Sequence, residues 1–124
     1  MNSRAKGKRG ELEAAHFLTD LGFPARRGQQ FSGSPDSPDL VCESLPGIHF
    51  EVKFTQKTDL YGWLAQAKAD AGDKLPVVLH RKNDADWLVI LDAEKFLSLI
   101  RESDFPIKPM EGEKHAESRS YQFP

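Results

Sequence analysis

Three acidic residues and one lysine have the residue types and spacing that could support hydrolysis. Asp39 begins one apolar stretch, and Glu51 and Lys53 lie two residues apart in the next. Clustered carboxylates repel one another unless a cation lies between them, and oxygen ligands suit Mg²⁺ or Mn²⁺. A lysine beside such a site can orient or deprotonate a water molecule. Together with Glu11, these residues fit metal-assisted hydrolysis of a phosphodiester.

Two predicted strands carry most of these residues. Apolar and polar side chains alternate over residues 48–54, which predicts a strand with Glu51 and Lys53 on one face. Residues 39–43 predict a strand just before it. The short connection favours antiparallel pairing of the two strands, which would bring Asp39 close to Glu51.

A predicted helix over residues 3–21 precedes these strands, with Gly22 placed to end it. Glu11 shares its apolar face at i, i+3, i+4, i+7 spacing, so Glu11 can approach the sheet. The periodicity also predicts a short strand within 23–30, a loop over 31–38, a helix over 59–71, and strands over 75–80 and 87–91. A third helix is predicted after them, with Asp92 as its cap. Its inward-facing residues are expected to be Ala93, Phe96, Leu97 and Ile100.

This order of elements predicts an α/β fold with a central mixed sheet flanked by helices, and the middle helix permits a parallel crossover. Residues 1–102 are expected to form a single domain. Residues 103–124 hold three prolines and show no periodicity, which predicts a C-terminal tail or extension.

Composition excludes several classes of protein. The chain has 124 residues, a net charge of −2 and one cysteine, Cys42, so an intrachain disulfide and a cysteine-based metal site are excluded. No apolar stretch approaches the ~20 residues that span a bilayer, so no membrane partner is expected. No apolar core follows the basic first residues, so we expect no secretory signal and a cytoplasmic protein.

Positive charge is concentrated near the start of the chain. Residues 1–30 hold six basic and three acidic residues, whereas residues 31–60 hold two basic and five acidic residues. The basic residues at the start are candidates for DNA phosphate contacts: Arg4, Lys6, Lys8, Arg9, Arg26 and Arg27. Phosphate contacts carry no sequence information, which suits recognition of DNA structure. A basic helix start with no ligand is the alternative.

The acidic motif resembles a known family. Pro38-Asp39, eleven further residues and Glu51-Val52-Lys53 are similar to the signature of the PD-(D/E)XK nuclease superfamily. The resemblance covers about residues 4–91 and extends to Holliday junction resolvases of archaeal and phage type. It implies a restriction-endonuclease-like αβββαβ core.

The resemblance also implies roles for individual residues. Asp39, Glu51, the backbone carbonyl of Val52 and Glu11 would bind Mg²⁺, with Mn²⁺ as a substitute. Lys53 would position or activate the water molecule.

Four further residues are weaker candidates. Gln66 resembles a helical glutamine found near such sites, and a solvated helix residue is the alternative. Lys57 follows the motif and could reach a phosphate, although a surface lysine fits as well. His49 shares a face with Glu51 and could touch DNA or metal-bound water, or simply pack. Asp36 also follows a proline, but only Asp39 leads directly into an apolar stretch.

The leading hypothesis is a Mg²⁺-dependent, structure-selective DNA endonuclease that resembles a Holliday junction resolvase and acts on branched or four-way DNA. Two symmetric cuts would require a twofold homodimer. One alternative is a phage or mobile-element endonuclease of restriction, repair or genome-processing type. Another is a non-catalytic DNA- or protein-binding module on a nuclease fold.

Overall fold

The computed structural model describes residues 3–28 and 39–110. The elements, in chain order, are α1 (Ser3–Asp20), β1 (Arg26–Arg27), β2 (Leu40–Val41), β3 (Ile48–Phe54), α2 (Leu60–Ala71), β4 (Leu75–Arg81), β5 (Leu88–Ile90) and α3 (Ala93–Glu102). The prediction of an α/β fold with a mixed sheet flanked by helices is confirmed. The chain divides into two compact units between Leu91 and Asp92.

In the first unit, a three-stranded sheet has the order β3-β4-β5. β3 and β4 are parallel, with Ile48 opposite Leu75, and β5 is antiparallel to β4. Parallel neighbours need a crossover, and α2 provides it. α2 therefore runs antiparallel to β3 and returns the chain to the start of β4.

The predicted antiparallel pairing of the Asp39 strand with β3 is wrong. β2 pairs instead with β1 in a separate two-stranded sheet, with Arg27 opposite Leu40. Two successive turns, closed by hydrogen bonds from Leu45 N to Cys42 O and from Ile48 N to Leu45 O, separate β2 from β3. A short connection therefore does not form a hairpin here, because its turns redirect the chain.

The sheet is covered on both faces. On one face, α1 contributes small and apolar side chains to a buried cluster with the sheet, namely Ala14, Ala15, Leu18, Phe50, Val52, Val77 and Leu79. On the other face, Leu64 and Ala67 of α2 pack against Val78 of β4. The two helices therefore fix the position of β3 from opposite sides.

Local signals set the helix bounds close to those predicted. α1 ends at Asp20, and Gly22 follows with φ of 96°, a conformation that glycine adopts without strain. α2 begins after Asp59, whose Oδ1 accepts a hydrogen bond from Gly62 N at 3.2 Å. This side-chain cap satisfies an amide that the helix leaves unpaired.

The second unit contains α3. Ala93, Phe96 and Leu97 are exposed, so the prediction that they face inward is wrong, whereas Ile100 is half-buried. Periodicity identifies residues that share a helix face but does not show that another element covers it. Residues 103–110 form no helix or strand, and residues 111–124 lie outside the described range. No helix among the described residues is long and apolar enough to cross a membrane.

Candidate metal centre

The polar residues of β3 share one face, as the alternation predicts. His49, Glu51 and Lys53 all point to the side of the sheet on which α2 packs. Glu51 is consequently buried, with only 6% of its surface exposed. A carboxylate removed from water in this way requires a compensating charge or a proton.

α2 brings two polar residues to this face. Gln66 Oε1 accepts a hydrogen bond from Lys53 Nζ at 3.1 Å. Asp70, one helical turn later, lies beside His49 and Glu51. This order follows from the crossover, because a helix antiparallel to β3 meets the end of the strand first and its beginning last.

Asp39 reaches the same region from the edge of β3. Its Oδ2 accepts a hydrogen bond from the backbone amide of Val52 at 2.9 Å. The Asp39 side chain thus occupies a backbone donor that a neighbouring strand would otherwise use. This contact brings Asp39 next to Glu51, as the spacing of the motif predicts, by a route other than strand pairing.

The electrostatic environment of Glu51 is unfavourable for a charged carboxylate. Burial, followed by the carboxylates of Asp39 and Asp70, raises the pKa of Glu51 to about 7, although the Lys53 ammonium acts to lower it. Lys53 Nζ lies 3.9 Å from Glu51 Oε2. One lysine therefore does not balance three carboxylates.

His49, Glu51 and Asp70 could hold a metal ion. Each offers one ligand atom, and these atoms all lie within 4.8 Å of one another. His49 Nε2 is 3.5 Å from Glu51 Oε1, but it is buried and has no hydrogen-bond partner among the described residues. Within residues 3–28 and 39–110, Glu11, Asp39 and Glu51 do not form a cluster of this spacing.

Glu11 has a partner that the sequence analysis missed. Its Oε1 accepts a hydrogen bond from Arg27 Nε at 2.7 Å. Burial raises the pKa of the Glu11 carboxyl, the Arg27 hydrogen bond lowers it, and the Asp39 carboxylate raises it. Glu11 is therefore close enough to Asp39 to feel its charge, while its direct contact is with Arg27.

Three cations surround the Phe54 ring at the end of β3. Lys6 Nζ and Arg9 lie 5.8 and 5.5 Å from the ring centroid, and Arg81 lies 5.6 Å from it. Arg9 and Arg81 also bind the two carboxylate oxygens of Glu13, each at 3.1 Å. Arg81 was not a sequence candidate. Arg81 occupies the last position of β4, opposite Phe54 of β3, and this strand pairing is the feature that would have identified it.

The other predicted cations are spread more widely. Arg26 NH2 lies 3.6 Å from Glu43 Oε1, and both side chains are largely exposed. Lys8 on α1 and Lys57 after β3 are exposed. Arg4 lies in the first turn of α1, but the structure does not describe its side chain. Asp36 lies outside the described residues.

Asp70 is the residue of this centre that sequence reasoning overlooked. It follows Gln66 by four positions, so the two share one face of the helix. That signal becomes informative only once Gln66 is known to face β3.

A scan against protein-family models finds none that matches the chain, and a search of curated proteins finds no significant match. The functional interpretation therefore rests on the geometry and chemistry of the site.

Proposed function

We propose that the protein is a divalent-metal-dependent DNA endonuclease that hydrolyses phosphodiester bonds, similar to a Holliday junction resolvase. The observation that carries the proposal is the meeting of Asp39, Glu51 and Lys53 at one edge of the sheet. Asp39 is held by the Val52 amide at 2.9 Å, and Lys53 Nζ lies 3.9 Å from the Glu51 carboxylate. Two carboxylates can hold a divalent cation and a lysine can orient a water molecule, which together can support metal-assisted phosphodiester hydrolysis.

The donor set fits a divalent cation. Burial and neighbouring carboxylates keep the pKa of Glu51 near 7, and a bound cation would relieve this repulsion. Asp39, Glu51 and the Val52 carbonyl would hold Mg²⁺, with Mn²⁺ as a substitute and Glu11 in support. When bound, the ion polarises the phosphodiester and lowers the pKa of a coordinated water molecule.

Lys53 is the proposed catalytic cation. Its ammonium donates to Gln66 Oε1 at 3.1 Å, which limits the positions that the side chain can take. From there Lys53 orients the attacking water molecule and stabilises the negative charge that develops on the phosphoryl oxygens. Gln66 is a positioning residue, since it acts through Lys53.

The basic residues at the end of β3 support DNA as the substrate. Lys6 and Arg9 from α1 and Arg81 from β4 gather around Phe54 at the end of β3, on the α1 face of the strand and opposite the face that carries Lys53. Arg9 and Arg81 also pair with Glu13. Cations in this arrangement bind phosphates without reading bases, which suits a substrate recognised by its branched shape. Paired cuts in a four-way junction would require a second copy of the chain.

The decisive experiment compares labelled four-way junction, flap, linear duplex and single-stranded DNA, with Mg²⁺ and with EDTA. Paired symmetric nicks in the junction alone would support the resolvase assignment. Equal cutting of duplex would favour an endonuclease of restriction, repair or genome-processing type. If no substrate is cut, the chain is a non-catalytic binding module.

Matched variants separate catalysis from binding. Asp39→Asn and Lys53→Ala should each lower the cleavage rate by at least about 100-fold while the affinity for DNA changes little. Lys95→Ala, on exposed α3, is the control and should cleave normally. Loss of DNA affinity in step with cleavage would contradict the assigned roles.

A further inference from the structure

We propose that His49, Glu51 and Asp70 form a transition-metal site with one imidazole and two carboxylate ligands, which binds Zn²⁺ in preference to Mg²⁺. This site lies on the α2 side of Glu51, whereas Asp39 approaches from the edge of β3. Binding of an ion there does not depend on the proposed nuclease activity, although the two sites share Glu51.

A buried ring nitrogen of His49 has no hydrogen-bond partner among the described residues. The His49 side chain is only 10% exposed, and its Nε2 makes no hydrogen bond among the described residues. Buried polar atoms in native proteins nearly always have a partner, and exceptions often mark a missing ion or water. A metal ion would bind directly through the lone pair of this nitrogen.

The distances between the candidate ligand atoms are close to those around a bound Zn²⁺. Ligands around a tetrahedral Zn²⁺ with bonds of about 2.1 Å lie roughly 3.4 Å apart. His49 Nε2 and Glu51 Oε1 are already 3.5 Å apart, and His49, Glu51 and Asp70 each offer one ligand atom within 4.8 Å of the other two. Asp70 is exposed, so its side chain has room to adjust toward an ion.

The two oxygens of Glu51 face different neighbours. Oε1 faces His49, whereas Oε2 faces Lys53 at 3.9 Å. Glu51 can therefore bind an ion through Oε1 without giving up its contact with Lys53.

β3 and α2 hold the three residues in place and leave the cluster accessible to solvent at Asp70. His49 and Glu51 belong to β3, which is fixed by parallel pairing with β4 along its whole length. Asp70 lies between the buried residues Ala67 and Ala71 of α2, which hold that helix against the sheet. Because Asp70 itself is exposed, solvent can reach the cluster and fill a fourth coordination position.

The ligand types decide the class of ion. Mg²⁺ prefers an all-oxygen shell, whereas imidazole suits Zn²⁺, Cu²⁺, Fe²⁺ and Ni²⁺. For nitrogen and oxygen sites, affinity rises from Mn²⁺ through Co²⁺ to Ni²⁺ and Cu²⁺, and Zn²⁺ also binds tightly. His49 is therefore the residue that gives the site its preference.

The test measures metal binding to the full-length chain after EDTA treatment and dialysis. Calorimetry should find one Zn²⁺ per chain, bound at least about 100-fold more tightly than Mg²⁺. Co²⁺ should produce a visible absorption spectrum that Zn²⁺ abolishes. Equal affinity for Zn²⁺ and Mg²⁺ would overturn the proposal, and so would a Co²⁺ spectrum unchanged by Zn²⁺.

Variants assign the ligands. His49→Gln should weaken Zn²⁺ binding by at least about 10-fold and leave Mg²⁺ affinity nearly unchanged. Asp70→Asn should weaken Zn²⁺ binding by a similar factor. Because Asp70 is exposed, this variant should fold and can test the site even if His49→Gln does not fold. His16→Gln and Asp73→Asn, both exposed, are the matched controls and should bind Zn²⁺ normally. Unchanged Zn²⁺ binding in Asp70→Asn would refute the ligand set.

Asp39→Asn separates this proposal from the proposed function. It should lose Mg²⁺-dependent cleavage and still bind one Zn²⁺ per chain, with a smaller loss of affinity than Asp70→Asn, because Asp39 acts on this site only through Glu51. Zn²⁺ binding that disappears with Asp39 would show that the ion belongs to the Asp39 side of Glu51, which would overturn the present assignment. Absence of DNA cleavage with intact Zn²⁺ binding would leave this site standing and remove the nuclease proposal.

Discussion

Glu51 is the residue on which the site depends. In the metal-free protein its pKa is raised from 4.5 to about 7, first by burial and then by the carboxylate of Asp39. Between these two values the folded chain holds a proton that the unfolded chain has lost. Protonation of Glu51 therefore stabilises the folded chain fully at pH values below 4.5. This contribution to the free energy of unfolding is lost as the pH rises through about 7.

Glu51→Gln should remove this pH dependence, because an amide cannot ionise. In EDTA, the wild-type free energy of unfolding should fall by about 1–3 kcal/mol between roughly pH 5 and pH 8, and the variant should lack this fall. Urea unfolding at both pH values measures it. Glu43→Gln changes an exposed carboxylate and should behave as wild type. A variant that retains the full wild-type slope would contradict the raised pKa.

Arg27 and Glu11 form a second charged contact with a structural role. The Glu11 side chain is 13% exposed, so removal of Arg27 leaves a largely buried carboxylate without its cation. Arg27→Met should lower the free energy of unfolding by about 1–3 kcal/mol, and Glu11→Gln in the same chain should recover part of the loss.

Arg26→Met is the matched control for this pair. Arg26 and Glu43 are 3.6 Å apart and mostly exposed, so its loss should cost below about 0.5 kcal/mol. Urea unfolding at neutral pH measures the free energy of unfolding of the wild type, of Arg27→Met with and without Glu11→Gln, and of Arg26→Met. Equal losses for the two arginines would mean that burial of Glu11 has no effect.

At the scale of elements, α1 and β3 approach each other closely at one glycine. A Cβ added at Gly10 would lie 2.7 Å from the Cβ of Phe54. Neither atom is the end of a flexible side chain, so the backbones would have to separate. Gly10 is therefore needed for packing, although glycine weakens the helix itself.

Gly10→Ala should destabilise the protein by about 1–3 kcal/mol because the added methyl group overpacks the contact. Gly7 lies in the same helix, and a Cβ there would meet nothing within 4 Å. Gly7→Ala should accordingly stabilise the protein by about 0.5–1 kcal/mol through helix propensity. Thermal unfolding of Gly10→Ala and Gly7→Ala tests both expectations. If both substitutions stabilised the protein, the close contact between Gly10 and Phe54 would be excluded.

At the scale of the whole molecule, the candidate site belongs to the first unit alone. Every buried residue of the two core clusters lies before Leu91, as do all the proposed ligands. A chain that ends at Leu91 should therefore unfold cooperatively and bind Zn²⁺ within about threefold of the full chain. Circular dichroism and calorimetry measure both. A truncated chain without a cooperative transition would show that residues 92–124 are required for folding.

The net charge of −2 conceals an uneven distribution of charge. If cations near α1 bind DNA phosphates, the affinity for four-way junction DNA should fall linearly on a log–log plot against salt. Lys8→Ala should reduce the magnitude of that slope by about 1, whereas Lys95→Ala should leave it unchanged. Fluorescence anisotropy at several salt concentrations provides the measurement. Equal slopes for Lys8→Ala and wild type would remove Lys8 from the interface.

Local patterns determined the elements and the faces of β3. Alternation from Ile48 to Phe54 was enough to put Glu51 and Lys53 on one face, since side-chain direction in a strand repeats every two residues. Gly22 likewise predicted the end of α1. These features depend on neighbours in the chain, and the sequence contains them directly.

Contacts between elements were decided only by the tertiary structure. The pairing of β2 with β1, the Arg27–Glu11 contact and the position of Asp70 beside His49 all join residues 13 or more positions apart. Each depends on which way a turn directs the chain and on which face of a helix packs against the sheet. Long-range packing makes that choice, and periodicity within one element does not encode it.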